Sequence, residues 1–258
     1  MTSVILFDLD DTLIVEEEAA AAAFRATAEL AVARYHVDAA ALAVDAREAA
    51  RVLWYASPVH SYCMRVGISS WEGLWCRFEA EAAAERWLRE WAPTYRRESW
   101  LTALAAQSVN DERLAGQLGE RFPVERRRRR EVYPEVTAVL DRLRGSHALG
   151  VVTNGASCLQ REKLAAANLS RYFDVVVVSA EVGAAKPEPV IFEHALAQFG
   201  VPSANALMVG DSFTRDVEGA TRAGLDAVWL NRTARARPRS DAEVVEISTL
   251  EALPAVLR

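Results

Sequence analysis

The feature that most constrains this chain is a short apolar run near its start, Val4–Phe7, which is followed at once by carboxylates. The run is too short for a helix, and an apolar run bounded by polar residues is typical of a buried parallel strand. Because ligands bind beyond the carboxyl ends of strands in open α/β sheets, Asp8 and Asp10 are expected at the ligand-binding edge. Neighbouring carboxylates repel each other, and a hard divalent cation such as Mg²⁺ relieves the repulsion by accepting oxygen ligands. The segment therefore predicts a metal-assisted site at the end of a core strand.

The second half of the chain alternates predicted strands with predicted helices. Tyr133 and Pro134 open the first of these helices, and Gly145 lies near its end. The predicted strands are Ala148–Thr153, Val175–Ser179, Ala206–Gly210, Ala227–Leu230 and Val244–Ile247. The predicted helices between and after them are Ser157–Asn168, Pro187–Phe199, Thr214–Ala223 and Leu250–Leu257. Such alternation produces right-handed βαβ units, so the predicted fold class is α/β, with a Rossmann-like parallel sheet flanked by helices.

Residues 16–130 show no convincing strand pattern. Their apolar residues recur at helical spacing, as in Trp71, Leu74, Trp75 and Phe78, and prolines and glycines divide the segment into several helices. We therefore expect an all-helical domain inserted after the first strand. The α/β core would then be discontinuous, made of residues 1–15 and 131–258, and its two links to the insert would permit hinge motion of a lid.

Three further segments carry polar residues that suit the same site. Thr153, Asn154 and Gly155 end one predicted strand, where a hydroxyl and backbone N–H groups can bind an anion. Lys186 stands at the start of a predicted helix, where a cation is unfavourable unless it faces an anion or carboxylates. Asp211 follows the strand Ala206–Gly210 directly, so its carboxylate is expected beside those of the first strand.

Together these segments resemble the four motifs of the haloacid dehalogenase superfamily. Asp8–Leu13 is similar to motif I in its phosphatase form, D-x-D-x-T, and Thr153–Gly155 is similar to motif II. Lys186 corresponds to motif III, and Gly210–Asp216 has the G-D-x-x-x-x-D form of motif IV. The helical insert has the position of the superfamily's type 1 cap. Because the motifs agree in residue type and in chain order, the chain is identified as a member of the phosphatase branch of this superfamily.

The resemblance implies a covalent mechanism with Mg²⁺ as cofactor. Asp8 would be the nucleophile that forms an aspartyl-phosphate, and Asp10 would be the general acid and then the general base. Mg²⁺ would be held by Asp8, by the backbone carbonyl of Asp10 and by Asp211. The resemblance therefore implies an enzyme of the phosphoric monoester hydrolase class.

The resemblance also implies a set of groups around the transferred phosphoryl group. Thr153, the backbone amide of Asn154 and Lys186 would surround its oxygen atoms. Asp216 would support the site by orienting Lys186 or a metal-bound water. The expected substrate is a small phosphorylated metabolite, such as a sugar phosphate or a nucleotide, and the residues of the cap would choose among these.

Two alternatives to a phosphatase stay open at this point. One is a phosphomutase of the same superfamily, which keeps both acids but often follows them with Gly-Val where this chain has Asp11 and Thr12. The other is a non-catalytic protein that binds a phosphorylated metabolite in the same pocket. Dehalogenases of the superfamily lack the second aspartate and need no metal, so Asp10 argues against that activity.

The composition limits the binding partners and the cellular compartment that we expect for the protein. A formal net charge of −6 over 258 residues does not indicate a nucleic-acid or membrane partner. Cys63, Cys76 and Cys158 form no C-x-x-C pair and fit a reducing compartment. No signal peptide or membrane-spanning run is recognisable, so we expect a cytoplasmic protein, and the oligomeric state cannot be predicted.

Two groups of arginines are expected to be solvated. The first is the run Arg126–Arg130, at the end of the helical insert near its second link to the core, where contact with an anionic substrate is the alternative. The second consists of Arg232, Arg235, Arg237 and Arg239, in a predicted mobile loop after a strand end.

Overall fold

The computed structural model of the chain describes residues 2–238 and 244–257. The chain divides into two compact units, one made of residues 1–15 and 131–258 and the other of residues 16–130. The links between them therefore fall between Val15 and Glu16 and between Arg130 and Glu131.

Within the described residues, the first unit contains one six-stranded parallel sheet. Its strands are β1 (Val4–Phe7), β2 (Ala148–Thr153), β3 (Val175–Val178), β4 (Ala206–Gly210), β5 (Asp226–Leu230) and β6 (Val245–Ile247). Their order is β3-β2-β1-β4-β5-β6, so that β1 lies at the centre between β2 and β4. The strand order reverses at β1, and open α/β sheets bind ligands at such a switch point. The predicted Rossmann-like parallel sheet is confirmed.

The second unit is helical. Its helices are α1 (Glu17–Val32), α2 (Ala39–Tyr55), α3 (His60–Val66), α4 (Ser70–Gly73), α5 (Ala83–Ala106) and α6 (Glu112–Arg127). Aromatic rings pack in its core: the ring centroid of Phe24 lies 4.4 Å from that of Phe122 and 6.1 Å from that of Trp100. Asp38 caps α2 by accepting hydrogen bonds from two backbone N–H groups, which satisfies donors that a helix start leaves unpaired.

The expectation that the run Arg126–Arg130 is solvated is wrong for its first member. The side chain of Arg126 is only 3% exposed, and it forms an ion pair with Glu16, whose side chain is 4% exposed. The guanidinium of Arg126 also lies 4.8 Å from the ring centroid of Trp75. The reason is helical geometry: Phe122 and Arg126 are four residues apart on α6, so both face the interior of this unit.

Helices cover both faces of the sheet of the first unit. They are α7 (Val136–Leu143), α8 (Ser157–Ala166), α9 (Ser179–Val182), α10 (Pro189–Phe199), α11 (Gly219–Arg222) and α12 (Leu253–Val256). Alternate residues of β1 point to opposite faces, so Phe7 packs in a cluster with Val136 and Leu140 of α7, while Leu6 packs with Phe192 of α10. A π-helical segment, Phe213–Glu218, precedes α11.

No helix in the described part of either unit is long and apolar enough to cross a membrane.

Candidate active site

The candidate site lies where the central strands end. Phe7 of β1 pairs with Val151 of β2 and with Val209 of β4, so the three strands end side by side. The backbone N–H of Asp8 continues the ladder by donating to the carbonyl of Val209 at 2.9 Å. Since Asp211 follows the end of β4 directly, the sheet register alone brings the acids that end β1 and β4 together.

The carboxylate of Asp8 is held by two side chains. Lys186 Nζ donates to its Oδ1 at 2.6 Å, and the hydroxyl of Thr12 donates to its Oδ2 at 3.1 Å. The same hydroxyl accepts the backbone N–H of Asp211 at 3.1 Å, so Thr12 links the turn after β1 to the end of β4. Thr12 belongs to the predicted motif, but the sequence assigned it no role in the site. Asp8 is therefore fixed in one orientation within a buried environment.

The buried Lys186 lies between two carboxylates. Its Nζ is 2.6 Å from Asp8 and 2.7 Å from Oδ1 of Asp216. Burial alone would lower the pKa of Lys186, but the charges of Asp216 and Asp8 outweigh burial and raise it. Of the two roles that the sequence offered for Asp216, the geometry supports the orientation of Lys186.

A glycine makes room for Asp216. A Cβ atom on Gly210 would lie 2.2 Å from Oδ2 of Asp216, a distance that no side chain tolerates. The same Oδ2 accepts the backbone N–H of Ser212 at 2.9 Å. The π-helical segment that carries Asp216 is of a kind often found at functional sites.

Three carboxylates form a cluster that fits a divalent cation. One oxygen each from Asp8, Asp211 and Asp216 lies within 4.8 Å of the others. Burial is the main cause that raises the pKa of Asp211 to about 7, and the charges of Asp8 and Asp216 add to the rise. Burial likewise raises the pKa of Asp8, while the charge of Lys186 opposes that change. Crowded, desolvated carboxylate oxygens are the donor set that Mg²⁺ prefers, so the residues present fit the ion.

The cluster differs in one member from the ligand set that the resemblance implied, which was Asp8, Asp10 and Asp211. Asp216 supplies the third carboxylate, and the side chain of Asp10 contacts a lysine instead. The resemblance implied that Asp10 binds the metal through its backbone carbonyl. A cluster defined by side-chain oxygens does not test that role. As a metal ligand, Asp10 therefore stays a prediction.

The turn after β2 brings the predicted phosphate-binding residues to this edge. The hydroxyl of Thr153 donates to Oε1 of Gln160 at 3.2 Å. The side-chain amide of Asn154 donates to the carbonyl of Lys186 at 3.0 Å and accepts its backbone N–H at 2.8 Å. Asn154 therefore fixes the segment from which Lys186 projects, and its own backbone N–H is the group that was predicted to bind phosphate.

Sequence reasoning missed the residue that contacts Asp10. Lys163 of α8 is 2% exposed, and its Nζ lies 3.1 Å and 2.9 Å from the two carboxylate oxygens of Asp10. A signal was present, because Lys163 follows Leu159 by four residues and Gln160 by three and so belongs to the buried face of its helix. A lysine on a buried face needs an anionic partner.

Two of the loop arginines make contacts that the sequence did not predict. Arg232 is only 13% exposed, forms an ion pair with Glu135 at 2.7 Å and donates to the carbonyl of Thr12 at 2.8 Å. Arg235 contacts Oδ2 of Asp211 at 2.9 Å. The expectation of solvation is therefore wrong for Arg232. Arg235 is 50% exposed, which agrees with a solvated loop, but it also pairs with an acid of the candidate site. Arg239 lies outside the described residues.

Comparison with known proteins places this geometry in a family. The family model for haloacid dehalogenase-like hydrolases matches residues 2–224. Phosphoserine phosphatase of Thermus thermophilus is 38% identical over 232 residues, which are 90% of this chain and 89% of that protein. Pyrimidine 5′-nucleotidase YjjG of Escherichia coli is 41% identical over 125 residues, which are 48% of this chain and 56% of that protein. The second match thus spans about half of each chain.

Solved structures agree with these matches. The HAD phosphatase from Thermococcus onnurineus is 30% identical, with a TM-score of 0.55 and coverage of 99% of this chain and 97% of that one. The HAD-hydrolase YfnB from Bacillus subtilis, bound to magnesium, is 21% identical with a TM-score of 0.66, covers 99% and 98% of the two chains and shows the fold alone. The predictions of the superfamily and of an enzyme of the phosphoric monoester hydrolase class are confirmed. The chain belongs to the haloacid dehalogenase-like hydrolase family.

Proposed function

We propose that this hydrolase is a Mg²⁺-dependent phosphatase that cleaves small phosphomonoesters through an aspartyl-phosphate on Asp8. The observation that carries the proposal is the setting of Asp8, whose two oxygens are held by Lys186 and Thr12 beside the carboxylate of Asp211. A carboxylate that is buried, oriented and close to a lysine is prepared for nucleophilic attack on a phosphate ester.

In the first half-reaction an oxygen of Asp8 attacks the phosphorus atom, and the bond between phosphorus and the leaving oxygen breaks. Asp10 donates a proton to that oxygen, so that an alcohol leaves rather than an alkoxide. Lys186 offsets the negative charge that nucleophile and phosphate bring together, because its ammonium is buried and already positioned.

In the second half-reaction the carboxylate of Asp10 removes a proton from water, and the water oxygen attacks phosphorus. The bond to Asp8 breaks, which releases inorganic phosphate and restores the carboxylate. Thr153 and the backbone N–H of Asn154 would hold the oxygens of the phosphoryl group through both steps. When bound at the carboxylate cluster, Mg²⁺ would supply positive charge that reduces repulsion between Asp8 and the phosphate.

The relatives and the division of the chain into two units support the proposed substrate class. The relative that matches 90% of this chain is named phosphoserine phosphatase, and shorter matches are named as a pyrimidine 5′-nucleotidase and a glyceraldehyde 3-phosphate phosphatase. All three names describe the release of phosphate from a small phosphomonoester. The helical unit, residues 16–130, is proposed to act as the cap that selects among such esters.

Release of inorganic phosphate from a panel of metabolites, with and without Mg²⁺, tests the proposal. The panel should hold phosphoserine, nucleoside monophosphates and sugar phosphates, and Asp8→Asn is the control variant. We expect Mg²⁺-dependent release by the wild type and none by Asp8→Asn. Acid-quenched wild-type protein should gain the mass of one phosphoryl group during turnover. Isomerisation of a phosphate ester without net release would indicate a phosphomutase, and binding without turnover would indicate a non-catalytic protein.

A further inference from the structure

Lys163 is a buried cation that the mechanism above does not use. Its side chain is 2% exposed, whereas that of its partner Asp10 is 24% exposed. An ammonium group loses several kcal/mol of hydration when it is buried, and a protein keeps it there only with an anionic partner. The lysine is therefore enclosed by the protein, whereas the carboxylate that it contacts is partly exposed.

The ammonium contacts both oxygens of Asp10, at 3.1 Å and 2.9 Å. A contact to one oxygen would leave the carboxylate free to rotate about its terminal bond, whereas contacts to both restrict that rotation. Asp10 follows a strand end and belongs to a turn in which the backbone N–H of Asp11 donates to the carbonyl of Ile14 at 2.8 Å. The turn fixes the backbone, and Lys163 restricts the side chain.

The helix that carries Lys163 also holds the candidate phosphate-binding turn. Gln160, three residues earlier on the same buried face of α8, accepts the hydroxyl of Thr153 at 3.2 Å. The turn packs tightly on it, since a Cβ atom on Gly155 would lie 2.5 Å from the side-chain nitrogen of Gln160. One helix face therefore sets the position of the phosphate-binding turn and of Asp10 relative to each other.

We propose that Lys163 is a positioning residue that holds the carboxyl group of Asp10 where it reaches the leaving oxygen. The inference rests on the proposed function and adds that proton transfer by Asp10 depends on Lys163. Asp10 matters most for esters whose leaving group is a poor one, because an alkoxide needs a proton and a nitrophenolate does not. Loss of the positioning contact should therefore slow the two kinds of ester to different extents.

The experiment compares one slow and one activated ester in the same preparation of each variant. The variants are Lys163→Met, Lys163→Gln and Lys163→Arg, and the substrates are p-nitrophenyl phosphate and the best alkyl phosphate of the panel. Because both rates come from one sample, their ratio does not depend on the fraction of folded enzyme. Arg161→Met is the matched control: Arg161 lies on the same helix and forms an ion pair with Glu181 at 2.7 Å, away from Asp10.

We expect Lys163→Met and Lys163→Gln to lower kcat/KM on the alkyl phosphate by about tenfold to a hundredfold, the scale on which misplacement of a catalytic group acts. This quantity reports the formation of the aspartyl-phosphate, the step in which Asp10 acts as the acid. The value of kcat/KM on p-nitrophenyl phosphate should stay within about threefold of the wild type, and the arginine variant should restore part of the loss on the alkyl phosphate. On either ester kcat falls where hydrolysis of the aspartyl-phosphate limits turnover, because Asp10 is the base in that step.

Equal losses of kcat/KM on both esters, no loss on either, or the same selective loss in Arg161→Met would each overturn the inference. If the wild type releases phosphate from neither ester, the proposed function is refuted, and the inference that rests on it is refuted as well.

Discussion

The buried ion pair of the helical unit offers a sharp test of how this unit is held together. Arg126 donates to Glu16 and to the carbonyl of Arg129, the latter at 2.6 Å, and its guanidinium stacks over Trp75. Glu16 lies next to one chain crossing and Arg126 lies close to the other. Arg126→Met removes the charge but keeps much of the aliphatic stem, so the variant leaves the carboxylate of Glu16 buried without this partner.

The expected cost follows from the burial of both partners. Breaking a buried pair by removing one partner costs about 3 to 5 kcal/mol, because the remaining charge stays desolvated. For chains of 150 to 250 residues, each kcal/mol corresponds to a change of about 2 to 4 °C in Tm, so Tm should fall by about 6 to 20 °C. The double variant Arg126→Met/Glu16→Leu should recover most of the loss, since replacing both charges by apolar groups is often neutral or better.

Thermal unfolding followed by circular dichroism and calorimetry measures these differences. Arg128→Met is the matched control, because Arg128 ends the same helix and pairs with Glu125 at 3.1 Å but is 61% exposed. Glu125 is buried but keeps its ion pairs with Arg121 and Arg129 in this variant. Loss of the exposed Arg128 should therefore cost at most about 1 kcal/mol, and the control should unfold close to the wild type. If Arg126→Met unfolded within 1 °C of the wild type, or if Arg128→Met lost as much stability, the assigned role of the buried pair would be refuted.

Three further predictions concern the candidate site. Asp10→Asn should lower kcat/KM for an alkyl phosphate by about a hundredfold or more, with a smaller loss of kcat/KM on p-nitrophenyl phosphate, as measured by steady-state kinetics. Gly210→Ala forces a Cβ atom against Asp216, and calorimetric unfolding should show a loss of about 1 to 3 kcal/mol; unchanged stability would contradict the close approach. Arg235→Gln removes a cation from Oδ2 of Asp211, so Mg²⁺ should bind up to about fivefold tighter in a calorimetric titration, and weaker binding would speak against competition.

The sequence predicted the fold and the strand-end acids because both depend on short-range patterns. An apolar run that stops at a carboxylate specifies a strand and its functional end at once, as Val4–Phe7 and Asp8 do. The same pattern in Ala206–Gly210 and Asp211 placed the second acid, and the parallel register of these strands brought the two together. The roles of these residues in catalysis stay predictions until a variant is assayed.

The residues that the sequence did not assign owe their positions to contacts across long sequence distances. Lys163 contacts Asp10, 153 residues away, and Arg232 donates to Thr12, 220 residues away. A charged residue is ordinarily solvated, so a sequence alone favours that reading unless the partner is known. Helical periodicity marks Lys163 and Arg126 as inward-facing, but it does not say which anion lies opposite each of them.

The charges around the site explain why the proposed mechanism calls for a divalent cation. Lys186 is shared by Asp8 and Asp216, Lys163 contacts Asp10, and Arg235 contacts Asp211, so with all seven groups ionised the carboxylates exceed the cations by one. A phosphate monoester dianion brought to such a site would meet a net negative charge, most strongly felt where burial excludes water. A monovalent cation would only cancel the excess, whereas a divalent cation makes the site positive before the substrate arrives. The paired cations therefore orient the acids, and the attraction for phosphate would have to come from Mg²⁺ together with the backbone N–H groups after β2.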